Sequence, residues 1–126
     1  MKKVIQTENA PAPIGPYNQA IQFENTLYVS GQIAIHPKTN EMVMDSIEDE
    51  TDMVLKNLGA VLNAAGFDYS DVVKCSIFIS DMGQFANINE VYAKYFDGPT
   101  APARETVQVA VLPKHVNVEI SCIAVR

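Results

Sequence analysis

The chain has 126 residues, with 15 acidic against 9 basic side chains and a net charge of −6. That length holds one domain on one core, and 48% hydrophobic with 19% charged residues excludes a disordered or collagen-like chain. The negative balance disfavours attraction to a phosphate backbone, so no nucleic-acid partner is expected.

No apolar run approaches the roughly 18 residues a membrane helix needs, so no membrane partner is expected. Lys2 and Lys3 precede only Val4 and Ile5 before Gln6 to Asn9 interrupts, so a secretory hydrophobic region is missing and a cytoplasmic location is expected.

Residues 10 to 16 hold three of the seven prolines, which exclude helix and central strand and predict an ordered lead-in to Tyr17. Asn18 to Phe23 and Leu27 to Gln32 alternate around Glu24-Asn25, predicting a hairpin with Ile21 and Phe23 facing Leu27 and Val29. Residues 36 to 45 carry turn signals and no helical period, so they are expected as a surface loop.

Ser46 followed by Asp49, with Glu48 and Glu50 in the same first turn, predicts a helix start. Val54, Leu55, Leu58, Val61, Leu62 and Ala65 continue at helical spacing to a Gly66 cap. Val72 to Ser80 returns to period two, with Val73, Cys75, Ile77 and Ile79 on one side. Asp81 with Gln84 opens a second helix, whose face is Phe85, Ile88, Val91, Tyr92, Tyr95 and Phe96, ending at Gly98-Pro99.

Two last strands, about 103 to 112 and 116 to 125, are expected to join through the turn Leu112 to His115. The order βββαβαββ predicts an α+β fold, one mixed six-stranded sheet with two helices packed on one face. Cys75 and Cys122 fall inside apolar strand runs and are expected as buried thiols.

The last strand sets Val116, Val118, Ile120, Cys122 and Ala124 against Asn117, Glu119, Ser121, Ile123 and Val125. Alternation in the neighbouring strand is expected to put Arg104, Thr106, Gln108 and Ala110 on the Glu119 face. An uncovered face mixing apolar and polar groups suits a subunit interface with a wet cleft, so a homo-oligomer is expected.

No glycine-rich phosphate loop, nucleophile elbow or His-Glu-x-x-His occurs. His36 and His115 lie in separate loops without thiolate neighbours, so no metal site is expected. The sharpest candidate is Arg104, after a Gly-Pro-Thr-Ala-Pro connection that restricts its backbone. Its guanidinium suits a bidentate grip on a carboxylate; the alternative is a structural arginine paired with Glu105, Glu119 or a helix end.

Glu119 is either a general base toward water or a polar residue on a solvated face. Tyr17 either anchors a lid or packs. Ser30-Gly31 either lets a ligand approach the backbone or makes a bend. Asn89 lies on the helix side away from Phe85, Ile88 and Tyr92, where solvent is the default.

Asn9-Ala10-Pro11 leading to Ile14-Gly15-Pro16-Tyr17, then Ser30-Gly31-Gln32, Pro102-Ala103-Arg104 and Val118-Glu119-Ile120 together resemble the RidA/YjgF family, from Glu8 to the C-terminus. The resemblance implies a chorismate-mutase-like fold and a homotrimer with clefts between subunits. It also implies cofactor-free hydrolysis of small 2-imino acids, such as 2-iminobutanoate and 2-iminopropanoate, to 2-keto acids and ammonia, with a functional link to PLP-dependent dehydratases. By that likeness Arg104 holds the substrate carboxylate and Glu119 activates water, while Tyr17, Ser30, Gly31, Asn89 and Thr106 shape the pocket.

A tail hairpin with Val111 opposite Val116 would pair Arg104 with Ile123, about 13 Å along the strand from Glu119, which predicts a cleft using the two residues from different subunits. Two positions depart from the family: Glu105 stands where a small or apolar residue is usual, and Thr106 where many relatives carry cysteine. The connection from Phe96 to Arg104 also looks short for the family.

Overall fold

The computed structural model describes residues 1–96 and 98–126. Six strands and two helices follow in order: β1 (Lys3–Ile5), β2 (Ala20–Phe23), β3 (Thr26–Gln32), α1 (Ile47–Ala64), β4 (Val72–Ile79), α2 (Phe85–Tyr92), β5 (Ala103–Gln108) and β6 (Val118–Val125). The leading strand β1, which pairs Ile5 with Ala20, is too short to show a period in the sequence.

Helix α1 begins as its sequence predicts. The Ser46 hydroxyl accepts the Asp49 N–H at 3.0 Å, and Gly66 closes the other end at φ +81°, the left-handed conformation glycine adopts without strain. Val54, Leu55, Leu58, Val61 and Leu62 are all buried against the sheet. Helix α2 follows a short 3₁₀ turn whose start is capped by Asp81. It ends at Tyr92, earlier than predicted, and the chain continues in turns to Phe96.

The sheet runs β1-β2-β3-β6-β4-β5, antiparallel throughout except for the parallel β4–β5 pair. This order overturns the expected tail hairpin. β5 returns from α2 and takes the edge beside β4, while β6 inserts between β3 and β4. The burial of the two strands explains the choice: Val118, Ile120, Cys122 and Ala124 are buried in β6, whereas no residue of β5 is fully buried and a proline precedes it, which suits an edge.

Two further registers differ. The Glu24-Asn25 turn, with Glu24 at φ 54°, pairs Ile21 with Tyr28 and Gln22 with Leu27, so Leu27 and Val29 lie opposite Gln22 and Ala20 and not Ile21 and Phe23. A bulge between Val72 and Lys74 buries Val72 and leaves Val73 exposed, where the alternation had placed Val73 with Cys75.

Both helices cover one face, over a core that includes Leu27, Leu55, Leu58, Ile77, Ile79 and Ile120. A smaller cluster of Ile33, Ile35, Leu112 and Val116 anchors the loops beyond the sheet. On the other face Val4, Phe23, Tyr28, Val73 and Val107 are exposed.

Candidate active site

The pairings decide which side of the sheet each candidate faces. Arg104 lies opposite Cys75 and Thr106 opposite Ile77, both of which are buried in the main core. Arg104 and Thr106 are therefore on the helix side, and the expectation that they share the Glu119 face is overturned. Val107 pairs with Phe78, which pairs with Glu119, so the open face carries Glu119 and Val107.

The candidates thus form two clusters. On the open face Tyr17, Ser30, Gly31 and Glu119 come together with Ile14 and Pro113 around a cleft of about 290 Å³. Recesses of about 440 and 510 Å³ border α1 and the N-terminal segment, a third of about 300 Å³ lies beside Tyr69 and Tyr95, and none of the three contains a predicted site residue.

Each wall of the cleft has a local cause. The proline lead-in is fixed by buried Gln19, whose side chain accepts the Thr7 N–H at 2.7 Å and donates to Thr7, Ala10 and Pro11 carbonyls. Ser30 is tied to the same segment, its Oγ donating to the Asn18 carbonyl at 2.6 Å and its N–H to Gln19. Tyr17 stays 45% exposed, its ring open to the cleft, and its phenol oxygen accepts the Ile14 N–H at 3.3 Å.

Pro113 is held between buried Leu112 and Val116, in a turn where Lys114 and His115 both adopt positive φ. Half-buried Glu119 makes no side-chain hydrogen bond among the described residues, and burial pushes its carboxyl above the ordinary 4.5.

The second cluster lies where β5 meets α2. Arg104 Nη1 donates to Asn89 Oδ1 at 2.7 Å, so Asn89 faces the arginine and not solvent, against expectation. The guanidinium carbon stands 4.9 Å from the Tyr92 ring centre and 5.6 Å from that of Phe85. Thr106 Oγ1 is buried without a hydrogen-bond partner among the described residues. The Tyr92 hydroxyl, also without a well-formed hydrogen bond, lies beside the Cys75 thiol, which burial pushes up and the Arg104 charge partly offsets.

Glu105 does not reach Arg104. It sits on the open face, bonded to Lys74 at 2.8 Å and to Ser76, and these two partners hold its carboxyl below the usual range. The expected buried thiols are present at Cys75 and Cys122. Among the described residues no group of three His, Cys, Asp or Glu side chains is placed to hold a metal ion, and no helix is long and apolar enough to cross a membrane. The connection expected to be short spans Asp97, which lies outside the described residues.

Sequence reasoning missed Phe85 and Tyr92, which at helical spacing read as core, and Gln19 and Pro113, which carry no motif.

One mixed sheet with two helices on a single face, an arginine at its edge and a carboxylate cleft on its open side define a small α+β domain of the chorismate-mutase-like type. The family model described as Endoribonuclease L-PSP matches residues 7–126, and the chain belongs to this family, the RidA/YjgF family. The mouse protein 2-iminobutanoate/2-iminopropanoate deaminase is 46% identical over 126 residues, covering 100% of this chain and 93% of its own.

A structure from Yersinia pestis, described as a protein of unknown function of the conserved Rid family, superposes with a TM-score of 0.96 at 49% identity and full coverage of both chains. The Escherichia coli protein TdcF with bound serine gives 0.93 at 44% identity, covering 98% of each chain.

Proposed function

We propose that this chain is a 2-iminobutanoate/2-iminopropanoate deaminase working without a cofactor, on substrates supplied by PLP-dependent dehydratases in the cytoplasm. The observation that carries the reading is the state of Arg104: its hydrogen bond goes to a neutral amide, and among the described residues no carboxylate lies within 4 Å of it, so its charge is available to an anionic ligand. The reading is also supported by the names of the mouse and rat relatives, 46% and 45% identical along the whole chain.

In this mechanism Arg104 takes the substrate carboxylate through two parallel hydrogen bonds. Water adds to the imine carbon while Glu119 accepts its proton. Return of that proton to the nitrogen lets the carbinolamine collapse to the 2-oxo acid and ammonia. The imine is already electrophilic, so orientation and one proton relay suffice. Tyr17, Ser30, the Gly31 backbone, Asn89 and Thr106 complete the pocket.

Arg104 and Glu119 stand on opposite faces of one sheet, two strands and three residues apart, or about 14 Å between Cα atoms. A cleft with both therefore takes Arg104 from one subunit and Glu119 from the next. The arginine lies on an edge strand and the open face carries exposed apolar side chains, which suits a homotrimer closed in a ring.

A second reading, a noncatalytic binder of small carboxylates, is favoured by the serine bound to TdcF. An Endoribonuclease L-PSP activity fits less well with a net charge of −6. A dehydratase releasing enamine in the presence of semicarbazide separates the first two. The deaminase lowers the yield of trapped imine and Arg104→Ala abolishes the effect; unchanged trapping with the wild-type protein favours the binder.

A further inference from the structure

Helix α2 presents Phe85, Asn89 and Tyr92 at spacings of four and three residues, which places them on one face. All three touch the Arg104 side chain: two rings at 5.6 and 4.9 Å from the guanidinium carbon and an amide oxygen at 2.7 Å from Nη1. A structural arginine is ordinarily held by a carboxylate, which neutralises it. Here the two carboxylates nearest in sequence logic are elsewhere, Glu105 bonded to Lys74 and Ser76 and Glu119 on the far side of the sheet. The three neutral partners fix the guanidinium while leaving its charge unspent.

We propose that Phe85 and Tyr92 are positioning residues for the carboxylate anchor, forming with Asn89 a neutral cradle that holds the Arg104 guanidinium in its binding orientation before substrate arrives. This rests on the reading of Arg104 as the group that binds the substrate carboxylate. The rings attract the cation through their faces, and Asn89 occupies one N–H of Nη1. The Nε and Nη2 edge has no hydrogen-bond partner among the described residues and offers the two parallel donors a carboxylate needs. Holding a long side chain in place beforehand removes the ordering cost from ligand binding.

Tyr92 contributes its ring and not its hydroxyl. The residue is only 6% exposed and its oxygen, beside the Cys75 thiol, finds no well-formed hydrogen bond among the described residues, so removing the oxygen takes away only a weak contact. Phe85 lies at the surface, 36% exposed, where a change of side chain does not open the core.

Calorimetric titration of 2-oxobutanoate into the wild-type protein and into Tyr92→Phe, Tyr92→Leu, Phe85→Leu and Arg104→Ala tests the cradle, because it reads affinity and the number of sites separately. Tyr92→Phe is expected to bind as the wild type. Tyr92→Leu and Phe85→Leu are each expected to raise Kd about threefold to tenfold with the number of sites unchanged. A merely structural defect lowers the number of competent sites and leaves Kd alone, and that result would overturn the cradle.

Wild-type affinity in Phe85→Leu and Tyr92→Leu, with binding lost in Arg104→Ala, also overturns it while leaving the carboxylate anchor intact. Wild-type affinity in Arg104→Ala removes the anchor itself and the cradle with it.

Discussion

The Glu119 carboxylate rests on the bare Cα of Gly31, with Oε2 only 2.5 Å from the point a β-carbon there would occupy. Gly31 is not among the residues at positive φ, so its backbone accepts alanine, and the clash falls on the flexible end of Glu119. Gly31→Ala is expected to fold with a melting temperature near that of the wild type and to lose roughly 100-fold in kcat, since a displacement of about 1 Å at a reacting group costs that much. Wild-type turnover in this variant would remove Glu119 from the reaction.

Burial raises the Glu119 pKa above 4.5, and the water activation proposed for it needs the ionised form. The acid limb of kcat/KM is therefore expected above the ordinary carboxylate range and is expected to vanish in Glu119→Gln along with most of the activity. The same shift sets a stability test. The folded pKa exceeds the unfolded one, so this contribution to stability is complete below the unfolded value and lost as pH rises through the folded value. Glu119→Gln should match the wild type near pH 4 and be the more stable protein at pH 7 in urea titrations at equal protein concentration.

Glu50, in the first turn of α1, is fully buried and reaches across to β6. Its carboxylate accepts the Asn117 N–H and side-chain N–H, both at 2.8 Å, and the Val118 N–H at 3.2 Å. Removing it leaves the buried Val118 N–H and two part-buried Asn117 donors without this acceptor, next to Glu119. Glu50→Ala is expected to cost about 3 kcal/mol in denaturant unfolding, and Glu50→Gln, which keeps one acceptor oxygen, clearly less. Equal losses in the two variants would show that the acceptor role is unimportant.

The elements with strong local signals were legible in the sequence. Ser46 and Gly66 bracket α1, and the alternation of β6 separates Val118, Ile120 and Cys122 from Glu119 and Ser121 as found. The pairing of strands was not, because alternation fixes sides within a strand and leaves the neighbour free. Placing β5 against β6 therefore put Arg104 on the wrong face, and a single bulge moved Val73.

Glu50 read as a helix-dipole residue because its hydrogen bonds span 67 positions. Asn89 read as solvated for a related reason: the Arg104 that it holds comes from a strand 15 residues on. Family motifs picked out Arg104 and Glu119 as residue types, whereas their opposite orientations follow only from register.

That opposition gives the sharpest test of assembly. A ring in which each cleft joins Arg104 of one subunit to Glu119 of the next uses heterologous contacts, so every subunit contributes half of two sites. Arg104→Ala and Glu119→Ala proteins are each inactive in this arrangement. Unfolding an equal mixture of the two and refolding it produces interfaces with both intact side chains by chance, and about a quarter of wild-type activity should return. A site built within one chain allows no such recovery, because every subunit in the mixture carries one defect. Verified mixed oligomers that remain inactive would therefore exclude the shared cleft.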